Sequence, residues 1–470
     1  VFAFYTANDG LIFRSFRENE VCMDELKTAE KFCGIMRETE DYIWNNPETG
    51  YKEYKTDAYL KAKIKELGYE ITAPDDITGF IAVADTGKPG PTVAIFAELD
   101  SVICRSHPEC DKQTGAVHAC GHNNQCAALV GFAAMLKEKG ALDGLCGKIK
   151  LCFVPAEEGI EIEFRQGLKD KGVIKYFSGK QEFLRRGYLS DADMAFMIHA
   201  DNKENDGIKF HIDKGHNGLI RKNTVFKGKT AHAGAKPHLG INAVNMAACA
   251  LNVANNLRET FREKDYIRFH YIISHGGDAV NTIPDRVSVE SYVRAANPSA
   301  MKSVNAKINR AFAGVACAFG GNVRQTDIPG VEPVIPDDNM NAVAAEALTE
   351  LVGKDRFAFA SEWRTSSTDF GDISCLMPSC LIYSHCFVGA GHGSDYKMVD
   401  YEVGEKETAA LLLCLTRKLL ENDAAKAKLV IKNFKPVFAC EKEYFEYKDS
   451  LNKNEDLLVY NADGTITVKA

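Results

Sequence analysis

Three apolar runs along the chain end in residues that can do chemistry: TVAIFAELD at 92–100, KIKLCFVPAEE at 148–158 and DMAFMIHAD at 193–201. Runs of this length and texture predict buried strands. Their carboxyl ends carry Glu98 with Asp100, Glu157 with Glu158, and His199. Strand ends of that kind share one crevice when the sheet is parallel. Helical spacing is predicted from about Met23 to Leu67, interrupted at 45–56 where Pro47 and Gly50 make a turn. A further helix, from about Asn123 to Lys137, is apolar nearly all round and is therefore expected to be buried against a sheet. The polar stretch 159–190 connects a strand to a helix and includes a piece, GLKDKGVIKYFSGK, to which the pattern assigns no element.

After Asn217 the texture changes. Strand-like LIRKNTVFKG, the small-residue helix INAVNMAACALNVANNLRETF, strand-like YIRFHYIIS and RVSVESYVRAA, and the amphipathic helix SAMKSVNAKINRAFAGVAC make a small α+β unit. The larger domain's patterns resume at Asn341 and Cys380, so this unit reads as an insertion. The expected fold class is α/β: a domain with a mixed, mostly parallel sheet flanked by helices, in two pieces at 20–216 and 328–430, with an inserted α+β domain at 217–327. A charged extension at 431–470 ends in a hairpin about Asp463–Gly464 and has no assigned role.

Composition changes this picture little. A chain of 470 residues holds two or three domains. Its 45% hydrophobic and 26% charged residues are ordinary for a globular protein, and a net charge of −8 without blocks of like charge points to neither nucleic acid nor a membrane surface. No apolar run approaches the ~18 residues of a spanning helix. The opening VFAFYTANDG lacks the order of a secretory signal, although the absence of an initial Met leaves a removed leader open. Fifteen cysteines, an odd number with no Cys-x-x-Cys, predict reduced thiols in a cytoplasmic protein.

The candidate chemistry centres on HACGH at 118–122. Cys120 and His122 stand two apart, so a thiolate and an imidazole can face one ion. Such an ion needs three or four protein groups, and Glu157–Glu158 is the complement: one carboxylate to ligate, the other to take a proton from water. Taken singly, each element has a plainer account, a buried thiol beside a core histidine or a solvated acidic pair. The three strand ends together outweigh it.

In order, HACGH, PAEEG, IHA, GKTAHAGAKPHLGINA, GGDAVNTIPDRVSVESYVRA and STDFGDISCLMP with GAGHGSDY, spread over roughly Glu25 to Leu420, resemble the metallo-amidohydrolases related to aminoacylase, in the branch of aminobenzoyl-glutamate and indoleacetyl-amino-acid hydrolases. The resemblance implies a catalytic α/β domain with a two-metal site and an inserted lid that mediates dimerisation. It implies Cys120, His122, Glu158, His199 and His392 as ligands of two divalent ions, zinc or manganese, with Glu157 as general base. His392 comes from the resemblance alone. In the lid, His232 matches the histidine that faces the scissile carbonyl from the partner subunit, and Asn281 and Arg294 match the polar pair that holds a substrate carboxylate.

The implied reaction is hydrolysis of N-acyl or N-aroyl amino acids of the aminobenzoyl-glutamate kind, by a homodimer joined through the lid or by a heteromer. A dipeptidase or a general aminoacylase would share these motifs. A catalytically silent metal-bound subunit would not need Glu157, and a closed structural zinc site would not need so many ligands. Three departures stand out, one of them a segment after PAEEG that is longer than usual and could alter what the pocket accepts. Asn123 follows HACGH where many relatives carry Asp, and FAELD replaces Arg-Ala-Asp, leaving Glu98 and Asp100 as candidates behind the ligands.

Overall fold

The computed structural model describes residues 24–203 and 207–469, so the opening VFAFYTANDG lies outside the described residues. The chain divides into two units. The first takes in Val1–Lys214, Pro336–Glu362 and Met377–Pro436. Its sheet is built on four parallel strands, β1 (Thr92–Glu98), β2 (Lys148–Val154), β3 (Met194–Asn202) and β4 (Ser379–Val388), in the order β2-β1-β3-β4. Antiparallel strands flank both sides, Phe80–Asp85 on β2 and Phe210–Ile212 on β4. This is the mixed, mostly parallel α/β architecture expected from the apolar runs. Every residue of β1 is buried, which is why that run shows no alternation.

Helix α1 (Cys33–Trp44) precedes the sheet, and α2 (His122–Met135) follows β1 with every residue buried. The left-handed Gly121 (φ +87) starts α2; a Cβ there would stand 2.7 Å from the Ala200 methyl on β3. Only glycine suits both the backbone angle and that approach. The unassigned piece of 159–190 spans the end of α3 (Ile162–Asp170) and the start of α4 (Gly179–Arg185). Helices of nine and seven residues carry too few repeats for a periodic signal.

The second unit comprises Gly215–Ile335, Trp363–Leu376 and Val437–Ala470. Five antiparallel strands run in the order Arg268–His275, Arg286–Ala295, Gly218–Lys227, Asn322–Pro329 and Lys453–Asp456. The helices Ala243–Asn256 and Pro298–Ala318 share an apolar core with this sheet, and Asn242 and Asn297 cap their amino ends. The pattern reading missed the Asn322–Pro329 strand because its buried face is largely polar, with Gln325 and Asp327 beside Val323. Those groups are satisfied across the sheet: Thr224 Oγ1 donates to Gln325 Oε1 at 2.8 Å and Lys222 Nζ to Asp327 Oδ1 at 2.6 Å.

The tail has a structural place in this unit. Its hairpin pairs Leu458–Tyr460 with Ile466–Val468 about a left-handed Gly464, as expected from the Asp-Gly turn. Helix Glu441–Ser450 carries Lys448 into a buried socket, where Nζ donates to Gly330 O (2.6 Å), Glu332 Oε1 (3.1 Å) and Asp372 Oδ1 (3.2 Å). No helix among the described residues is long and apolar enough to cross a membrane.

All three side chains of that socket are fully buried, so removing the cation strands two carboxylates. Lys448→Met is expected to destabilise the protein by about 3–5 kcal/mol, read as a lower urea midpoint. An unchanged midpoint would show that the tail is not anchored there.

Candidate metal centre

The carboxyl ends of β1, β2 and β3 and the loop after β4 deliver the site. At its base lies Asp100, two residues beyond β1 and fully buried. Its Oδ1 accepts from Glu157 N–H at 3.1 Å and its Oδ2 from Glu158 N–H at 2.9 Å. The Asp100 backbone carbonyl takes the Nδ1–H of His122 at 2.7 Å, with Oδ1 at 3.4 Å from the same nitrogen. Burial alone would raise the Asp100 pKa; the His122 hydrogen bond and charge outweigh it, and the carboxyl lies below its ordinary value.

Because a carbonyl only accepts, His122 must carry its proton on Nδ1 and turn Nε2 towards the site. His199 is set the same way, with Nδ1 on the Ala200 carbonyl at 2.7 Å. Cys120 Sγ lies 3.7 Å from His199 Nε2, and His392 Nε2 lies 3.1 Å from Glu158 Oε1. Cys120, His122 and His199 form one donor group and Cys120, Glu158 and His392 a second, each with its ligand atoms within 4.8 Å of one another. The sulfur is common to both. Burial by itself would raise the Cys120 pKa, but His122 and bonds to His199 and His392 bring it well below the ordinary thiol value. That shift favours the thiolate, the form that ligates.

Glu158 is buried and Glu157 half-buried. Burial pushes the Glu158 carboxyl up to about 7, aided by the Cys120 charge and opposed by His392. The turn that presents the pair is under tension: Ala156 adopts φ +56, and across the site His392 adopts φ +62. The Ala156 N–H donates to Glu53 Oε1 at 2.9 Å. Arg165 of α3 grips the carbonyls of the same turn, Glu158 O at 2.5 Å and Ala156 O at 3.3 Å. Sequence reasoning had no signal for Arg165, which lies in a polar connection and is nonetheless buried. Asn123, the departure after HACGH, donates to Glu40 Oε1 of α1 at 2.7 Å.

The donor set fits metal cations. Tetrahedral ligand atoms around one zinc-sized ion stand roughly 3.3 Å apart, or about 3.6 Å when one is sulfur, close to the 3.1 and 3.7 Å observed. His122 Nε2 and Glu158 Oε1 are buried atoms without a hydrogen-bond partner, as expected of atoms that serve an ion.

The lid candidates lie in the second unit. His232 Nδ1 accepts from Gly234 N–H (3.2 Å) and Ala235 N–H (3.1 Å), which puts the ring proton on Nε2 of this exposed side chain. Asn281 is exposed, and its backbone carbonyl accepts from Ala233 N–H. Arg294 is half-buried, with Nη1 on Thr365 O (3.3 Å) and Ser367 Oγ (3.2 Å); no ion pair to a carboxylate is formed among the described residues. Burial holds its pKa below the ordinary guanidinium value.

Residues 214–316 match the model of a peptidase dimerisation domain of the M20 type. The chain is 29% identical over 360 residues to N-acetyl-L-cysteine deacetylase of Bacillus subtilis, covering 73% of this chain and 77% of that protein. It is 27% identical over 322 residues to a p-aminobenzoyl-glutamate hydrolase homolog of Haemophilus influenzae, covering 66% and 69%. Among solved structures it is similar to a dinuclear metal-binding peptidase of the M20 family from Bacillus subtilis, with a TM-score of 0.66, 21% identity, and coverage of 83% of this chain and 99% of that one. The resemblance read from the motifs, and with it the expectation of a metal-dependent amidohydrolase, is borne out by these similarities.

Asp100→Asn removes the buried charge beside His122 Nδ1 and, by replacing one carboxylate oxygen with an amide nitrogen, loosens the Glu157–Glu158 turn. Zinc affinity is expected to fall about 10–100-fold, measured by competition with a chromophoric chelator. Wild-type affinity in this variant would remove Asp100 from the centre's support.

Proposed function

We propose that this chain hydrolyses the amide bond of N-acyl or N-aroyl amino acids at a centre of two divalent cations. The observation that carries this reading is the double membership of Cys120, whose sulfur belongs to both donor groups, Cys120–His122–His199 and Cys120–Glu158–His392. The cations, when bound, supply Lewis acidity and bring the pKa of water from ~15.7 towards 7. A thiolate donor favours zinc on softness, with manganese the second candidate.

Glu157 takes the proton of the attacking water and returns it to the leaving nitrogen. Its neighbour Glu158 is the buried one, which suits a ligand, while the half-buried Glu157 keeps access to solvent and substrate. His232 donates from Nε2 to the oxygen that gains charge at the scissile carbonyl, supplied by a second copy of the chain through the lid. The bonds to its Nδ1 support that role, because they leave the donor edge outward. Arg294, with Asn281, receives the substrate's carboxylate: a half-buried guanidinium with no ion-pair partner among the described residues is disposed towards an anion.

The assembly read here is a homodimer through the dimerisation domain, with a heteromer as the other outcome. The compartment is the cytoplasm, supported by cysteines that are all free among the described residues.

A hydrolysis screen with zinc or manganese tests the reaction: N-acetyl and N-aroyl amino acids, aminobenzoyl-glutamate and dipeptides. Turnover of dipeptides alone would replace this reading by a dipeptidase on the same groups, and no turnover of any amide would leave a silent binding protein. Glu157→Gln is expected to bind metal normally and lose nearly all turnover; full rate in that variant would require another base. His232→Ala is expected to keep the fold and lose about 10²–10³ in kcat, and near wild-type kcat would remove the assigned donor.

A further inference from the structure

Glu98 ends β1 beside the histidine-rich donor group and is fully buried. Its Oε2 lies 3.2 Å from His122 Nε2 and 4.0 Å from His199 Nε2. Both rings carry their proton on Nδ1, bonded to the carbonyls of Asp100 and Ala200. The atoms that face Glu98 are therefore the two Nε2 nitrogens, and His122 Nε2 makes no hydrogen bond despite the short separation. A carboxylate oxygen and two imidazole nitrogens this close together form a donor set that one cation can fill. The 3.2 Å separation is also close to the roughly 3.3 Å between two nitrogen or oxygen ligands of one tetrahedral ion.

The carboxylate is locked in place from its other sides. Lys180 Nζ of α4 donates to Oε1 at 2.5 Å, Gln125 Nε2 of α2 donates to Oε2 at 2.9 Å, and Glu98 N–H returns a bond to Gln125 Oε1 at 3.2 Å. Lys180 is fully buried too. Its approach depends on the residue before it: a Cβ on Gly179 would stand 1.7 Å from the Pro155 carbonyl oxygen, so only glycine lets α4 start this close to the end of β2. A buried lysine brought in at that cost has the Glu98 carboxylate as a partner.

We propose that Glu98 is the fourth protein ligand of the cation held by Cys120, His122 and His199, with Lys180 and Gln125 as the positioning residues that aim it. This rests on the two-cation reading above. It makes the centre asymmetric. One cation is closed by four protein groups, as in structural sites, and the other, with Cys120, Glu158 and His392, keeps an open position, as in catalytic ones. The first is then tightly held and the second exchangeable.

The test uses the full-length chain stripped with a chelator and titrated with zinc, for the wild type and Glu98→Ala, Glu98→Gln, Lys180→Met and Cys120→Ala. Zinc stoichiometry and affinity are measured, together with X-ray absorption of the one-zinc form. The wild type is expected to take two ions in distinguishable steps, with a one-zinc spectrum of one sulfur and three nitrogen or oxygen donors from protein. Both Glu98 variants are expected to weaken the tight step by about 100-fold or more and to lose a light-atom donor. Lys180→Met is expected to weaken it by about 10–100-fold with the donor count kept.

An unchanged tight step in both Glu98 variants, with Cys120→Ala losing it, overturns the assignment of Glu98 and leaves the two-cation reading standing. Wild-type binding in Cys120→Ala overturns the two-cation reading itself. If the Glu98 variants do not fold, a crystal structure of the zinc-loaded wild type decides: Glu98 Oε2 within about 2.2 Å of the ion supports the proposal, and separation beyond hydrogen-bond distance overturns it.

Discussion

A single buried carboxylate, Asp100, joins the parts of the candidate metal centre. Each of its oxygens accepts a backbone N–H of the Glu157–Glu158 turn, and its own main chain fixes the proton of His122. These bonds tie the end of β1 to the end of β2 and to the start of α2. A buried, ionised carboxylate is costly unless its acceptors are filled, and here the partners that fill it are the elements of the site. The bonds that stabilise Asp100 therefore also set which atoms of His122, Glu157 and Glu158 face inward.

Around this point the charges are balanced by residues from a connection that looks like filler in sequence. Arg165 and Lys180, one from each short helix of 159–190, are both buried. Arg165 takes the carbonyls of a turn whose Ala156 sits in the left-handed region, and Lys180 takes Glu98. A strained turn and a fully buried carboxylate are stable only when their surroundings over-determine them. The long connection provides that surrounding, and the Glu98–Lys180 pair depends on it together with the replacement of Arg-Ala-Asp by FAELD.

The second unit follows the same logic with a different outcome. Its buried polar groups, Lys222 with Asp327 and Lys448 with Glu332 and Asp372, are paired within the unit. Arg294 is instead half-buried on hydroxyl and carbonyl oxygens. Fully paired clusters hold a sheet and its tail together, while Arg294 forms no ion pair with a carboxylate among the described residues.

Much of this was legible in one dimension. Buried parallel strands must be apolar throughout, so β1, β2 and β3 announced themselves, and their polar ends identified Glu98, Asp100, Glu157, Glu158 and His199 as neighbours. Motif order supplied His392, whose place in an irregular loop no periodicity marks. Periodicity failed at the Asn322–Pro329 strand, where Gln325 and Asp327 point inward and find partners on the neighbouring strand. It also failed for Arg165 and Lys180. Sequence alone determined which residue types end each strand, because apolar burial is a local property of the run. Only the tertiary structure decided which nitrogen of each histidine faces the centre and which cation answers which buried carboxylate, because both depend on hydrogen bonds and charges between segments far apart in the chain.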